Sequence, residues 1–218
     1  CSASVYDNLF TNSNKAAIYF EGWISTGMIQ NNTIKGSWEN GFEFIDVTYA
    51  RVWNNDVSEV WTCLFWDNTD DGNTMDADIQ YNHFVAAYTI VLINSDGDIN
   101  AVVSHNDIDV ILGDGVLIQT YDADIYATLI GNTIHGYPNS DDGIDLDSAY
   151  ELSAYLDGNV ISSMGGYGIY AYSDSDYGDL TITGGSVADC HDYGVYMDYI
   201  NFIIRGTSIC RNGGGIWF

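Results

Sequence analysis

The feature that most limits how this chain can fold is a repeat of about 25 residues running through its whole length. Asn8, Asn32, Asn55, Asn82, Asn106, Asn132, Asn159, Gly185 and Thr207 mark one equivalent position in nine successive units, 22 to 27 residues apart. Two residues after these anchors stand Phe10, Ile34, Val57, Phe84, Ile108, Ile134, Ile161, Val187 and Ile209. Three residues before them stand Val5, Ile29, Val52, Ile79, Val103, Leu129, Leu156, Ile182 and Ile204. Every member of both columns is large and apolar, and most are β-branched. A second strand follows about ten residues after each anchor. It is clearest at Ala17 to Phe20, Gly41 to Phe44, Gly115 to Ile118, Gly168 to Ala171 and Gly194 to Met197, and less clean around Leu64 to Trp66 and Thr89 to Leu92.

Period-two alternation and Gly/Asn punctuation exclude a helical repeat. A β-sandwich gives no reason for one residue type to return at a fixed interval. Stacked coils do, because each residue then lies one strand spacing, about 4.8 Å, from its equivalent in the next winding. Asn side chains at an inward turn can hydrogen-bond up and down such a stack, which satisfies amides that are costly to bury unpaired.

Charge narrows the partners. The chain has 5 Lys plus Arg against 31 Asp plus Glu, a formal charge of −26. That excludes a nucleic-acid binder working by phosphate neutralisation and makes an anionic membrane surface a poor partner. No apolar run is long enough to span a bilayer. With 46% apolar and 14% aromatic residues, the chain is not disordered.

Gly131-Asn132-Thr133-Ile134, Asp142-Gly143-Ile144-Asp145-Leu146, Gly158-Asn159-Val160-Ile161 and Gly168-Ile169-Tyr170 resemble the repeat of the pectin-lyase-like superfamily. The resemblance implies a right-handed, single-stranded parallel β-helix of about nine coils of ~25 residues, covering residues 3 to 218. It does not choose an activity, since that superfamily includes polysaccharide lyases, hydrolases, uronan epimerases, adhesins and passive surface proteins. The repeat is in register from residue 3 and reaches Gly215-Ile216-Trp217-Phe218 with no cap evident. Residues 1–218 are therefore expected to form one domain that is a segment of a longer chain or a unit stacking end to end. Cys1-Ser2-Ala3 would suit a lipidated terminus but lacks a tether. Cys190 and Cys210 fall in neighbouring coils, where a disulfide or free thiols are both open.

Several residues are candidates for chemistry. Asp pairs recur in the turns before the anchors: Asp76/Asp78, Asp96/Asp98, Asp122/Asp124 and Asp174/Asp176. Stacking would bring like charges together, so Asp96, Asp98, Asp122 and Asp124 are expected to hold Ca²⁺, to depend on salt screening or to form a solvated acidic face. Asn139-Ser140-Asp141 is similar to the Asn-Thr-Asp motif of polygalacturonase-type hydrolases, which makes Asp141, Asp142 and Asp145 candidate catalytic acids. The next coil, Met164-Gly165-Gly166-Tyr167-Gly168, lacks the carboxylates those enzymes require, and no Arg-x-Lys occurs. Asp189-Cys190-His191-Asp192 is similar to an epimerase motif and offers His191 as a base. Tyr170, Tyr196 and Trp217 occupy the outward slot of the second strand in three successive coils, a candidate glycan-binding stripe. These features favour a secreted or cell-surface solenoid, structural or adhesive, contacting glycans or neighbouring copies. The alternative is a polysaccharide-active lyase, hydrolase or epimerase.

Overall fold

The computed structural model describes residues 2–24, 26–68, 72–89, 91–175 and 178–218. Cys1, Ile90 and Asp176 lie outside the described residues. The described chain is strand throughout its regular structure, in three parallel sheets of nine strands each. Each winding contributes one strand to each sheet. One winding runs Ile99–Ser104, Asp107–Val110 and Val116–Thr120, and the next runs Ile125–Ile130, Thr133–His135 and Ile144–Ser148.

The predicted stacking is the observed one. Val103 pairs in register with Leu129, and Leu129 with Leu156. The column after the anchors also stacks, with Phe84 beside Ile108 and Ile108 beside Ile134. The sequence pattern anticipates two strands per winding, and the structure has three. The anchor is a corner, and its two apolar columns belong to different sheets. The residue before each anchor makes this corner by adopting a left-handed backbone, with φ between 52° and 66° in all nine windings. Asp7, Asn31, Asn54, Tyr81 and His105 do this at some cost, and Gly131, Gly158, Gly184 and Gly206 do it freely. The less regular second strands form as well, as Thr62–Asn68 and Val91–Ser95.

The interior is a column of inward side chains from all three sheets. Aromatic rings fill its first half: Phe20 stacks on Phe44 at 5.6 Å, and Phe44 meets Trp66 edge-on at 5.3 Å. Trp66 is fully buried and its indole Nε1 donates to the Val47 carbonyl at 2.7 Å, so its polar edge costs little. From the middle onward the core is aliphatic, with Ile125, Leu129, Ile144, Leu146 and Leu156 fully buried.

The Asn anchors form an unbroken ladder. Nδ2 of Asn8, Asn32, Asn55, Asn82, Asn106 and Asn132 each donates to Oδ1 of the next Asn, ending at Asn159, over 2.9 to 3.2 Å. The ladder stops where Gly185 replaces Asn. A Cβ there would lie 2.1 Å from the Asn159 carbonyl oxygen, so no side chain fits. Cys63, Cys190 and Cys210 are free thiols, which resolves the disulfide question.

Candidate functional site

The turn from the second sheet to the third gathers the acids that matter most. In one winding this turn is Leu112-Gly113-Asp114-Gly115, and in the next it is the longer Gly136 to Gly143. The extra residues form a local turn in which the Ser140 amide and hydroxyl both donate to the Tyr137 carbonyl. Beyond it the windings return to register: the Asp141 amide donates to the Gly113 carbonyl at 2.7 Å, and the Asp142 amide to Asp114 Oδ1 at 3.0 Å. One winding on, the Tyr167 amide donates to Asp142 Oδ1 at 2.6 Å. Gly166 allows this approach, because a Cβ there would lie 2.3 Å from the same oxygen. The glycines that lacked a carboxylate in the sequence are thus the seat on which the Asp142 carboxylate rests.

Asp145 joins from the strand Ile144–Ser148, where it points outward between Leu117 and Tyr170. Asp114, Asp142 and Asp145 then offer oxygens within 4.8 Å of one another. Asp145 Oδ1 is buried without a hydrogen-bond partner. Burial is the main reason all three carboxyls are pushed up, Asp114 to about 6, Asp142 to about 7 and Asp145 to about 8. Mutual repulsion adds to it, with Asp141 acting on all three, Asp192 on Asp142 and Asp147 on Asp145. The Tyr167 amide works the other way on Asp142 by favouring its charged form. Near neutral pH such a group can share protons or hold a hard cation through its carboxylate oxygens. Among the described residues it is the one group of three or more candidate ligands this close.

Sequence reasoning found Asp142 and Asp145 and missed Asp114. The signal was available, since Asp114 precedes Gly115 as Asp142 precedes Gly143 in the same slot one winding apart. Asp141 is adjacent but bonds through its backbone. His191 is not brought to this group. It lies in the corresponding turn two windings away, exposed, with Nδ1 3.1 Å from its neighbour Asp192. Three of the five Lys and Arg side chains are engaged elsewhere: Lys35 with Glu59, Arg51 with Asp78, and Arg211 with Asp189 through two 2.6 Å bonds.

Asp98, Asp122 and Asp124, three of the four acids expected to hold Ca²⁺, accept hydrogen bonds from the next winding. Asp98 Oδ1 accepts the Asp124 amide at 3.2 Å, and Asp124 Oδ1 accepts the Glu151 amide at 2.9 Å. Asp122 accepts the Tyr150 hydroxyl at 2.9 Å, and the Asp96 amide donates to the Asn68 carbonyl. The carboxylates of Asp98, Asp122 and Asp124 thus tie one winding to the next, which offsets part of the repulsion of stacked like charges. Asp174, from the last pair, accepts the Tyr172 hydroxyl.

Tyr170, Tyr196 and Trp217 stand in register as expected. Their rings stack on one another, Tyr170 on Tyr196 at 5.4 Å and 11° and Tyr196 on Trp217 at 4.3 Å and 4°. The facing sides are therefore covered by their neighbours. Tyr170 is partly buried beside Asp145 and Asp147, which pushes its hydroxyl up to about 12.

Residues 114–218 match the family model described as a right handed beta helix region. With the strand order and parallel register, this makes the fold a right-handed parallel β-helix, consistent with the resemblance to the pectin-lyase-like superfamily. Searches of curated proteins and of solved structures gave no match. No helix among the described residues is long and apolar enough to cross a membrane.

Proposed function

We propose that this β-helix is a non-catalytic solenoid, secreted or displayed at a cell surface, with a structural or adhesive role in which it contacts glycans or neighbouring copies. One observation carries the reading: the polar side chains are spent between windings. The Asn ladder, the Asp-to-amide bonds and the stacked Tyr170, Tyr196 and Trp217 all join one coil to the next. The acid group does not include His191 or any of the ion-paired cations Lys35, Arg51 and Arg211. A β-elimination needs a base and a cation beside the uronate. A net charge of −26 also opposes the approach of polyuronate.

The rival reading is a hydrolase, and a specific feature favours it. Carboxyls held at about 7 and about 8, as in Asp142 and Asp145, can donate a proton near neutrality. The deciding experiment incubates the chain with polygalacturonate and with alginate between about pH 5 and 8, the window of those groups. Reducing ends and the absorbance of unsaturated uronate are followed. We expect neither to grow. Turnover that disappears in Asp142→Asn would replace the solenoid reading with the enzyme.

A further inference from the structure

The turns that precede the third sheet carry a second feature, in the first windings and away from the acid group. Trp38, Trp61 and Tyr88 stand on three successive turns. The Trp61 amide donates to the Glu39 carbonyl at 2.8 Å, and the Tyr88 amide to the Trp61 carbonyl at 2.8 Å, so the turns are stacked in step. Trp61 lies flat on Tyr88, 5.4 Å between centroids and 8° between planes. Trp38 takes part in no ring pair among the described residues and is 81% exposed, while Trp61 is 51% exposed. Two clefts, about 490 and about 590 Å³, are each lined by both tryptophans. Large aromatic rings left this open are unusual on a soluble surface and mark a place where something packs.

Charge selects what packs there. Glu39, Glu43 and Glu59 border the clefts. Glu59 is already paired with Lys35 at 3.3 Å, and Glu43 already accepts the Asn40 side-chain amide at 2.9 Å. The clefts therefore offer flat apolar faces and carboxylate acceptor oxygens, with Glu59 neutralised by Lys35 and Glu39 and Glu43 not ion-paired among the described residues. A polyanion is repelled by these acids and by the whole chain. A second copy, also at −26, is repelled in the same way. A hydroxyl-rich ring uses both features, with its C–H face on indole and its hydroxyls donating to carboxylate. We infer that Trp38 and Trp61 form the docking site for a neutral glycan chain. The inference rests on the glycan-contacting reading above and names the site and the chemical class of that glycan.

The test is isothermal titration of the whole chain with cellohexaose, mannohexaose, a glucosamine hexamer and polygalacturonate. At least one neutral hexasaccharide is expected to bind. Trp38→Ala and Trp61→Ala should each weaken it by about tenfold or more, while Tyr121→Ala, at an exposed tyrosine elsewhere, should leave it unchanged. Trp38 is open to solvent, so its loss spares the core, and circular dichroism checks this. Neutral binding that survives both tryptophan variants overturns the site and leaves the glycan-contacting solenoid standing. Tighter binding of the glucosamine hexamer or polygalacturonate overturns the neutral class. No binding of any of the four overturns the site and the glycan contact together.

Discussion

A single Asn shows how this fold converts sequence into stability. Asn106 Oδ1 accepts both the backbone amide and the Nδ2 of Asn82, while its own Nδ2 donates to the Ile79 carbonyl and to Asn132 Oδ1. Its side chain is almost fully buried. Asn106→Ala strips partners from several buried groups, each worth about 1–3 kcal/mol when left unmet. We expect the change to cost about 3 kcal/mol or more in urea unfolding. Asn8 occupies the same slot in the first winding but is exposed, and Asn32 Oδ1 keeps the Asn8 backbone amide if its side chain is lost. Asn8→Ala should cost under about 1 kcal/mol. Equal losses at the two positions would remove the ladder from the account of stability.

At the scale of elements, the turns before the third sheet are where the windings differ. The longer turn from Gly136 to Gly143 closes over Asp114 and brings three carboxyls together, partly buried. The sign of the pH effect follows. Their folded values, about 6, 7 and 8, lie above the ordinary 3.8, so the folded chain holds more protons than the unfolded chain between about pH 4 and 8. The stability these groups contribute is complete below about pH 4 and is lost as pH rises through 6 to 8. The melting temperature should be higher at pH 5 than at pH 8. Asp145→Asn should flatten that difference by raising the value at pH 8. A melting temperature that climbs steadily from pH 5 to 8 would show that these carboxyls ionise freely.

For the whole molecule, the governing quantity is the net charge of −26 on a rod whose windings repeat like charges in columns. Backbone donors offset part of the repulsion, as at Asp98 and Asp124, but the long-range component remains. Raising NaCl from about 0.01 to 0.15 M shortens the screening length from about 30 to 8 Å. The melting temperature should rise over this range at fixed pH. A fall would mean that ion pairs such as the five found among the described residues outweigh the general repulsion.

The sequence alone determined the windings, their register and the inward columns. A solenoid repeats by one strand spacing, so every winding meets the same requirement at the same slot, and the pattern of Asn, β-branched residues and glycine records it directly. The left-handed corner residue was equally legible in hindsight, as a column of Asp, Asn and Gly interrupted by Tyr81 and His105. Three things were decided only in the folded molecule. Asp114 meets Asp142 and Asp145 because an irregular turn closes over it. Tyr170, Tyr196 and Trp217 cover one another because their rotamers let the rings stack. Trp38 remains open because, among the described residues, no ring of a neighbouring winding stacks on it, whereas Trp61 is covered on one face by Tyr88. Periodicity fixes where a residue lies along the axis. The direction a side chain takes from an irregular turn depends on what the adjacent winding leaves room for, and no single repeat unit contains that information.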